Sequence, residues 1–322
     1  MNNVLTKSGR ISVIFVCMLL LVVSAAAQLS LRNAVDTDKD GKADFSVFRP
    51  ANSTWYILKS NGGFTFQQFG ISNEDRPTPG DYDGDGRGDI SVWRDTNGVW
   101  YRLNSSDNTF TGVQFGTDGD EPVARDYDGD GRTDLAVVRR TPGGAMNWYI
   151  LNSTTGFLSI QFGLENDRVA PGDYDGDKKF DIAVQRTGAT PTSQGFFYIL
   201  KSSDGSVQST AWGLDDLVAP GDYDGDGKTD IAVVREFATA SNSNLVWYVL
   251  KSTDNGLLAS SFGLTLTDLL AQNDYDGDGK TDIAVWRNTN GTFYVLRSTD
   301  NGLTAVQWGS PSDIPIASHD TH

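Results

Sequence analysis

The sequence predicts an all-β chain: a six-bladed β-propeller of four-stranded blades, the first blade closed by the C-terminal strand. Three observations carry that prediction. A carboxylate-rich loop recurs at Asp36, Asp81, Asp126, Asp173, Asp222 and Asp274, in steps of 45 to 52 residues. Each repeat carries the same succession of short apolar and aromatic runs, separated by Gly, Asn and Asp. After residue 28 no stretch keeps a helical period over a useful length. Four short β-branched and aromatic strands in ~45–50 residues are the mark of a propeller blade.

The elements follow in order. Each loop runs into an apolar strand such as Asp89-Ile90-Ser91-Val92-Trp93-Arg94 or Asp282-Ile283-Ala284-Val285-Trp286-Arg287. A second strand carries an aromatic-Tyr pair: Trp55-Tyr56, Trp100-Tyr101, Trp148-Tyr149, Phe197-Tyr198, Trp247-Tyr248, Phe293-Tyr294. A third ends in aromatic-Gly: Phe69-Gly70, Phe115-Gly116, Phe162-Gly163, Trp212-Gly213, Phe262-Gly263, Trp308-Gly309. A fourth, of the type Val218-Ala219-Pro220-Gly221, leads into the next loop. Each small sheet has two apolar faces and must be covered by neighbours, so the stack curls into a ring. The chain supplies at most a stub of a strand before Asp36 and a spare one at its end, Ile314-Pro315-Ile316-Ala317-Ser318. Pro315 stands four residues before His319, as Pro122 stands four before Asp126, so the last strand is expected to complete the first blade. Seven blades would need three further strands that the sequence does not contain.

The first 27 residues read as a secretory signal rather than as part of the fold. Lys7 and Arg10 precede an apolar run, Ile11 to Val23, which ends in Ser24-Ala25-Ala26-Ala27 with the cut expected before Gln28. That run has 13 residues, short of the about 20 that a bilayer span needs. Cys17, the single cysteine, lies inside it and follows Phe15-Val16, not the small residues of a lipidation site. The expected mature chain, residues 28–322, is one exported propeller domain that does not rely on disulfides. It is expected outside the cytoplasm, extracellular or periplasmic, with no membrane insertion after cleavage.

Charge narrows the partners. With 26 Lys+Arg against 42 Asp+Glu the formal charge is −16, which argues against nucleic acid and against an anionic membrane surface. Both histidines, His319 and His322, fall in the last four residues, leaving no His/Cys zinc cluster and no internal His-based triad.

The acidic loops hold 24 of the acidic residues, and their spacing is that of oxygen ligands. The second reads Asp81-Tyr82-Asp83-Gly84-Asp85-Gly86-Arg87-Gly88-Asp89, with carboxylates at positions 1, 3, 5 and 9. Calcium takes six to eight hard oxygens, and a tight loop of alternating Asp with a glycine at position 6 supplies them. The other carboxylate sets are Asp36, Asp38, Asp40, Asp44; Asp126, Asp128, Asp130, Asp134; Asp173, Asp175, Asp177, Asp181; Asp222, Asp224, Asp226, Asp230; and Asp274, Asp276, Asp278, Asp282. A backbone carbonyl at position 7 would complete each set, from Lys42, Arg87, Arg132, Lys179, Lys228 and Lys280. The helix-loop-helix calcium hand needs a bidentate Glu at position 12. Here that position is Val47, Val92, Val137, Val184, Val233 and Val285, so the hand is excluded and the bidentate role falls to Asp at position 9. One such loop would read as an ordinary Asp-Gly turn; six, each with all four Asp, read as sites for up to six Ca²⁺. Position 6 is Lys178 in the fourth loop, where a side chain must tolerate a glycine-like turn, so that site is expected to be weakest.

The Asp-x-Asp-x-Asp-Gly-x-x-Asp loop and the recurrent Phe-Gly or Trp-Gly resemble the FG-GAP/VCBS repeat family, the calcium-loop propellers of integrin α-subunit heads and many bacterial secreted proteins. The resemblance covers residues 36 to about 319. It implies a calcium-stabilised propeller used for adhesion, carbohydrate binding or protein contact; some lyases and phospholipases also use such propellers. The chain departs from the integrin pattern in having six repeats rather than seven, and no attached domain that could carry another activity.

An Arg stands five residues after the last loop Asp in every repeat: Arg49, Arg94, Arg139, Arg186, Arg235, Arg287. Six-fold repetition points to a structural clamp on a carboxylate or carbonyl of its own or the next blade, over a ring for anionic glycans. The aromatic pairs repeat as faithfully and read as core. The linker after the Arg is five residues in repeats one, two and six, and longer in three (Arg140 to Asn147), four (Thr187 to Phe196) and five (Glu236 to Val246). These linkers emerge opposite the acidic loops, and insertions on one face of an array mark a binding face. No catalytic residue is assigned: the paired carboxylates are committed to metal and no base is positioned beside a nucleophile. The reading is a secreted calcium propeller that binds glycan or protein. Its alternatives are an exported polysaccharide-active, lyase-like enzyme and a purely structural surface protein.

Overall fold

The apolar runs lie between Gly- and Asp-rich turns and form strands of only two to nine residues. Runs this short are stable only inside small sheets that others cover. The computed structural model describes residues 33–71, 74–237 and 243–317. Among them the strands form six four-stranded antiparallel sheets, each an inner, second, third and outer strand. The expected leader, residues 1–27, lies outside the described residues, as do His319, His322 and residues 238–242 of the longest linker.

Burial follows radius. The second strands are covered on both faces: Ala232, Val233 and Val234 are all fully buried. Outer strands such as Phe110–Gln114 and Leu303–Gln307 alternate between exposed and half-buried positions, as an edge with one wet face must. The inner strands are the shortest, from Glu121–Pro122 to Asp268–Leu270.

The aromatic-Gly motif is what lets the blades meet. Its glycines, Gly70, Gly116, Gly163, Gly213, Gly263 and Gly309, hold φ between +75° and +117°, a region closed to most side chains. A Cβ there would stand 3.0–3.5 Å from the position-12 valine of the following blade, Val92, Val137, Val184, Val233, Val285 and Val47 in turn. The valine that rules out a calcium hand is thus the knob on which each preceding blade closes. Beside it, the aromatic-Tyr pair buries its first ring: Trp100, Trp148 and Trp247 are fully buried and donate Nε1–H to the carbonyls of Phe115, Phe162 and Phe262.

The ring closes as expected. The C-terminal strand Ile314–Ile316 is the inner strand of the first blade, pairing Phe48 with Ile314 and Ser46 with Ile316. The linker insertions differ in form from free loops. In repeat three the third strand begins at Ala145, leaving 141–144 as the turn, with a register shift between Ala145 and Asn147. In repeat five it begins at Asn244, with a matching shift before Val246. The insertions there lengthen the hairpin, as an added residue does when a bulge absorbs it.

Candidate metal centres and the ring of acidic loops

Each acidic loop folds around its first carboxylate. The Asp at position 1 accepts the N–H of position 4 on Oδ1 at 2.6–2.8 Å. On Oδ2 it accepts the N–H of position 6 at 2.8–3.0 Å. Such side-chain to backbone bonds are why Asp favours turns. They require left-handed backbone at positions 4 and 6, which glycine supplies in most loops. The exceptions are Lys178 at position 6 (φ 76°) and Lys39 at position 4 of the first loop (φ 62°). Strain at Lys178 follows from the sequence; the equivalent at Lys39 emerges only here.

The Asp at position 9 is held from two sides. Its Oδ2 accepts the N–H of position 2 at 2.7–2.9 Å. Its Oδ1 accepts the N–H of a serine in the turn between third and outer strands at 2.6–2.8 Å: Ser60, Ser105, Ser153, Ser202, Ser252 and Ser298. In five blades the same serine donates its hydroxyl to the Asp at position 5. Hydroxyls of the next residue, Ser106, Ser203, Thr253 and Thr299, reach the Asp at position 3 at 2.6–2.7 Å. Sequence reasoning missed these serines, although each stands four residues after the Tyr of the aromatic pair. At position 2, Tyr82, Tyr127, Tyr174, Tyr223 and Tyr275 pin their loops by donating a buried hydroxyl to the carbonyl four residues earlier.

The result is a set of convergent carboxylates. Asp36, Asp38 and Asp40 bring one oxygen each within 4.8 Å of the others, as do Asp81, Asp83 and Asp85, and Asp222, Asp224 and Asp226. In the third and fourth loops the sets are Asp126, Asp128, Asp134 and Asp173, Asp175, Asp181. Both carboxylate oxygens of Asp38 and Oδ1 of Asp128 are buried without a hydrogen-bond partner. An orphaned anionic oxygen among other carboxylates costs free energy that a cation would recover, so the donor set fits a hard divalent ion. The expected bidentate role of position 9 has limited room, since both its oxygens already accept a backbone N–H.

Electrostatics point the same way. Burial pushes the carboxyls of Asp81, Asp126, Asp173 and Asp222 up to about 6, with nearby loop carboxylates adding to the shift against the backbone N–H donors. Burial likewise raises Asp134, Asp181, Asp230 and Asp282 to about 7. An unfolded Asp titrates near 3.9. A folded value above that stabilises the fold at low pH, and the contribution is lost as pH rises through the folded value. The metal-free chain is therefore expected to melt at a higher temperature at pH 5 than at pH 8, measured by circular dichroism after exhaustive dialysis.

The arginines have a structural task. Arg49, Arg94, Arg139, Arg186, Arg235 and Arg287 each grip one buried Asp through Nε and a terminal nitrogen, at 2.7–3.0 Å: Asp313, Asp75, Asp120, Asp167, Asp216 and Asp268. The Tyr of the aromatic pair lies under each guanidinium, 4.4–4.9 Å from ring centre to Cζ. The same Asp also accepts the N–H that follows the aromatic-Gly of the preceding blade, as Ile71 to Asp75. One carboxylate thus ties two blades together, and the clamp between Arg49 and Asp313 closes the ring.

A model of the FG-GAP-like repeat family matches residues 36–92, 81–137 and 126–184, each match running from one acidic loop to the position-12 valine of the next. No curated protein matches the sequence. Among solved structures, an Agrocybe aegerita lectin that recognises non-reducing terminal N-acetylglucosamine overlaps with a TM-score of 0.51 at 15% identity, covering 84% of this chain and 92% of the lectin. An arginine-to-alanine triple variant of AofleA from Arthrobotrys oligospora gives 0.52 at 10% identity, with 90% of each chain covered. A luciferin-regenerating enzyme gives 0.44 at 12% identity, covering 74% and 77%. At 15% and 10% identity, the overlaps of 0.51 and 0.52 show a shared propeller fold. Three matched repeats and three more of the same loop, clamp and register identify the chain as an FG-GAP repeat β-propeller.

Proposed function

We propose that the chain is a secreted, calcium-loaded propeller that acts as a binding module for a glycan or a protein, taking its ligand on the face opposite the acidic loops. One observation carries this reading. A cavity of about 670 Å³ lies among the inner strands and is lined by Arg140, Arg168, Leu217, Glu236, Leu269 and Ile314. Arg140 and Glu236 end second strands whose first residues follow the acidic loops, so the cavity mouth faces away from those loops and toward the lengthened hairpins. A concave, mostly apolar site with a few charged groups is the usual form of a ligand pocket. No helix among the described residues is long and apolar enough to cross a membrane.

In this reading the Asp at positions 1, 3, 5 and 9, with the carbonyl at position 7, hold each calcium ion. The ion supplies the positive charge that the clustered carboxylates lack. Lys178 holds a left-handed backbone at about 1–2 kcal/mol over glycine. Lys178→Gly should therefore tighten calcium at Asp173–Asp181 and raise the melting temperature. In a chelator titration the wild-type loop should empty ahead of the four loops that hold glycine at both positions, together with the first loop, where Lys39 carries the same strain. Equal release from all six loops would count against the glycine argument.

Binding is tested on a glycan array that includes terminal N-acetylglucosamine and on a panel of extracellular proteins, with Leu217→Asp/Leu269→Asp as the cavity variant. Both leucines are partly exposed, at 38% and 41%, so the variant should keep its melting temperature while losing ligand. Retained binding would move the site to the acidic face. Turnover of a polysaccharide would favour the exported enzyme.

A further inference from the structure

We propose that the six loops bind their cations as one coupled ring, each site linked to the next by a continuous chain of peptide units and hydrogen bonds. The inference rests on the calcium reading above and goes beyond it, from six sites to their cooperation. The carbonyl offered by position 7 belongs to the same peptide unit as the N–H of position 8. In every junction that N–H donates to the position-1 carbonyl of the preceding loop. The six bonds run from Gly88 to Asp36 (3.0 Å), Thr133 to Asp81 (2.7 Å), Phe180 to Asp126 (2.9 Å), Thr229 to Asp173 (2.7 Å), Thr281 to Asp222 (2.6 Å) and Ala43 to Asp274 (2.8 Å). The position-1 carbonyl in turn shares its peptide unit with the N–H of position 2. That N–H donates to Oδ2 of the position-9 Asp in its own loop, as Tyr82 does to Asp89 at 2.8 Å. A path of two peptide units therefore joins a ligand atom of one loop to a ligand residue of the preceding one. The bond from Ala43 makes the path circular.

Side chains seal the same junctions. The N–H of Asp81 donates to Oγ1 of Thr133 at 3.0 Å. A Cβ on Gly80, Gly172 or Gly221 would come within 2.6–2.7 Å of Thr133, Thr229 or Thr281, so the loops are in contact there. The position-7 cations lie over the position-4 glycine of the preceding loop: Arg132 on Gly84, Lys179 on Gly129, Lys228 on Gly176, Lys280 on Gly225 and Lys42 on Gly277. In the junction between the first two loops the reach is reversed, with Lys39 Nζ donating to the carbonyl of Asp85 at 2.5 Å. A cation that draws on a position-7 carbonyl polarises the position-8 N–H of the same peptide unit and strengthens its bond to the position-1 carbonyl of the preceding loop, which holds that loop's position-2 N–H on its position-9 carboxylate. A neighbour whose position-9 carboxylate is already fixed in place loses less freedom on binding and so binds more tightly, and the effect is reciprocal.

Native mass spectrometry of the metal-free full chain, titrated with calcium, tests the proposal. At half saturation a coupled ring gives mainly empty and fully loaded molecules, with intermediates depleted. Independent sites give a binomial spread centred on three ions, which would overturn the coupling and leave the calcium reading intact. No calcium adduct at any concentration would overturn the reading itself. In the variant Asp224→Asn/Asp226→Asn, the two flanking loops should weaken by roughly 5-fold or more, while the loop at Asp81–Asp89, opposite in the ring, changes least. Ala43→Pro removes one linking N–H without touching a carboxylate, and should shift the distribution toward intermediates. If that variant fails to fold, the wild-type distribution alone decides.

Discussion

Stripping calcium from the folded chain should lower its melting temperature by roughly 10–20 °C. Extracellular calcium modules bind at roughly 10⁻⁴–10⁻³ M, so a medium with about 2 mM Ca²⁺ exceeds that by about 2- to 20-fold. Linkage then gives about 0.7–1.8 kcal/mol per site, or about 4–11 kcal/mol for six sites taken as independent. The whole stability of a domain is ~5–15 kcal/mol, so the loss is of the same order as the fold's margin. Magnesium should restore little, because it sheds water reluctantly and demands a smaller octahedral cage. Melting curves in calcium, magnesium and chelator measure the effect. Superimposable curves would mean that the loops are solvated turns.

Breaking one Arg–Asp clamp should remove a large share of the stability of the domain. The Asp75 side chain is wholly buried and accepts Arg94 Nε at 2.7 Å, its terminal nitrogen at 3.0 Å and the N–H of Ile71 at 2.6 Å. Asp75→Ala leaves the guanidinium above Tyr101 without its counter-ion and an inter-blade N–H without an acceptor. Removing one partner of a buried pair costs about 3–5 kcal/mol, read as a lowered midpoint in urea denaturation. Asp300→Ala, which breaks the exposed pair with Arg297, should leave the midpoint unmoved, since exposed pairs contribute little. Equal effects from both would remove the clamp from the account of what joins the blades.

The blade count and the closing strand were legible because they depend on period alone. Pro315 sits in register opposite Val47, which the spacing to His319 already implied. The acidic loops were legible for a similar reason, as their carboxylates sit on one short segment. What was not legible is what the chain brings together across strands and between blades. Asp75 stands 19 residues before Arg94 and meets it only because the inner and second strands pair there. Ser105 looks like any turn residue until the hairpin places it on Asp89. The bonds between loops are backbone to backbone, so no residue type advertises them. The lengthened linkers of repeats three and five mislead in another way, because a bulge turns added residues into strand.

The acidic loops are proposed as the cation sites on which the ring is built. Metal analysis of the purified chain tests this most directly, by plasma emission after gel filtration in buffer holding calcium at millimolar concentration. Six calcium ions per chain are expected, fewer on substitution of the loop aspartates, with magnesium unable to take their place. A chain that emerges folded with no bound calcium would contradict it.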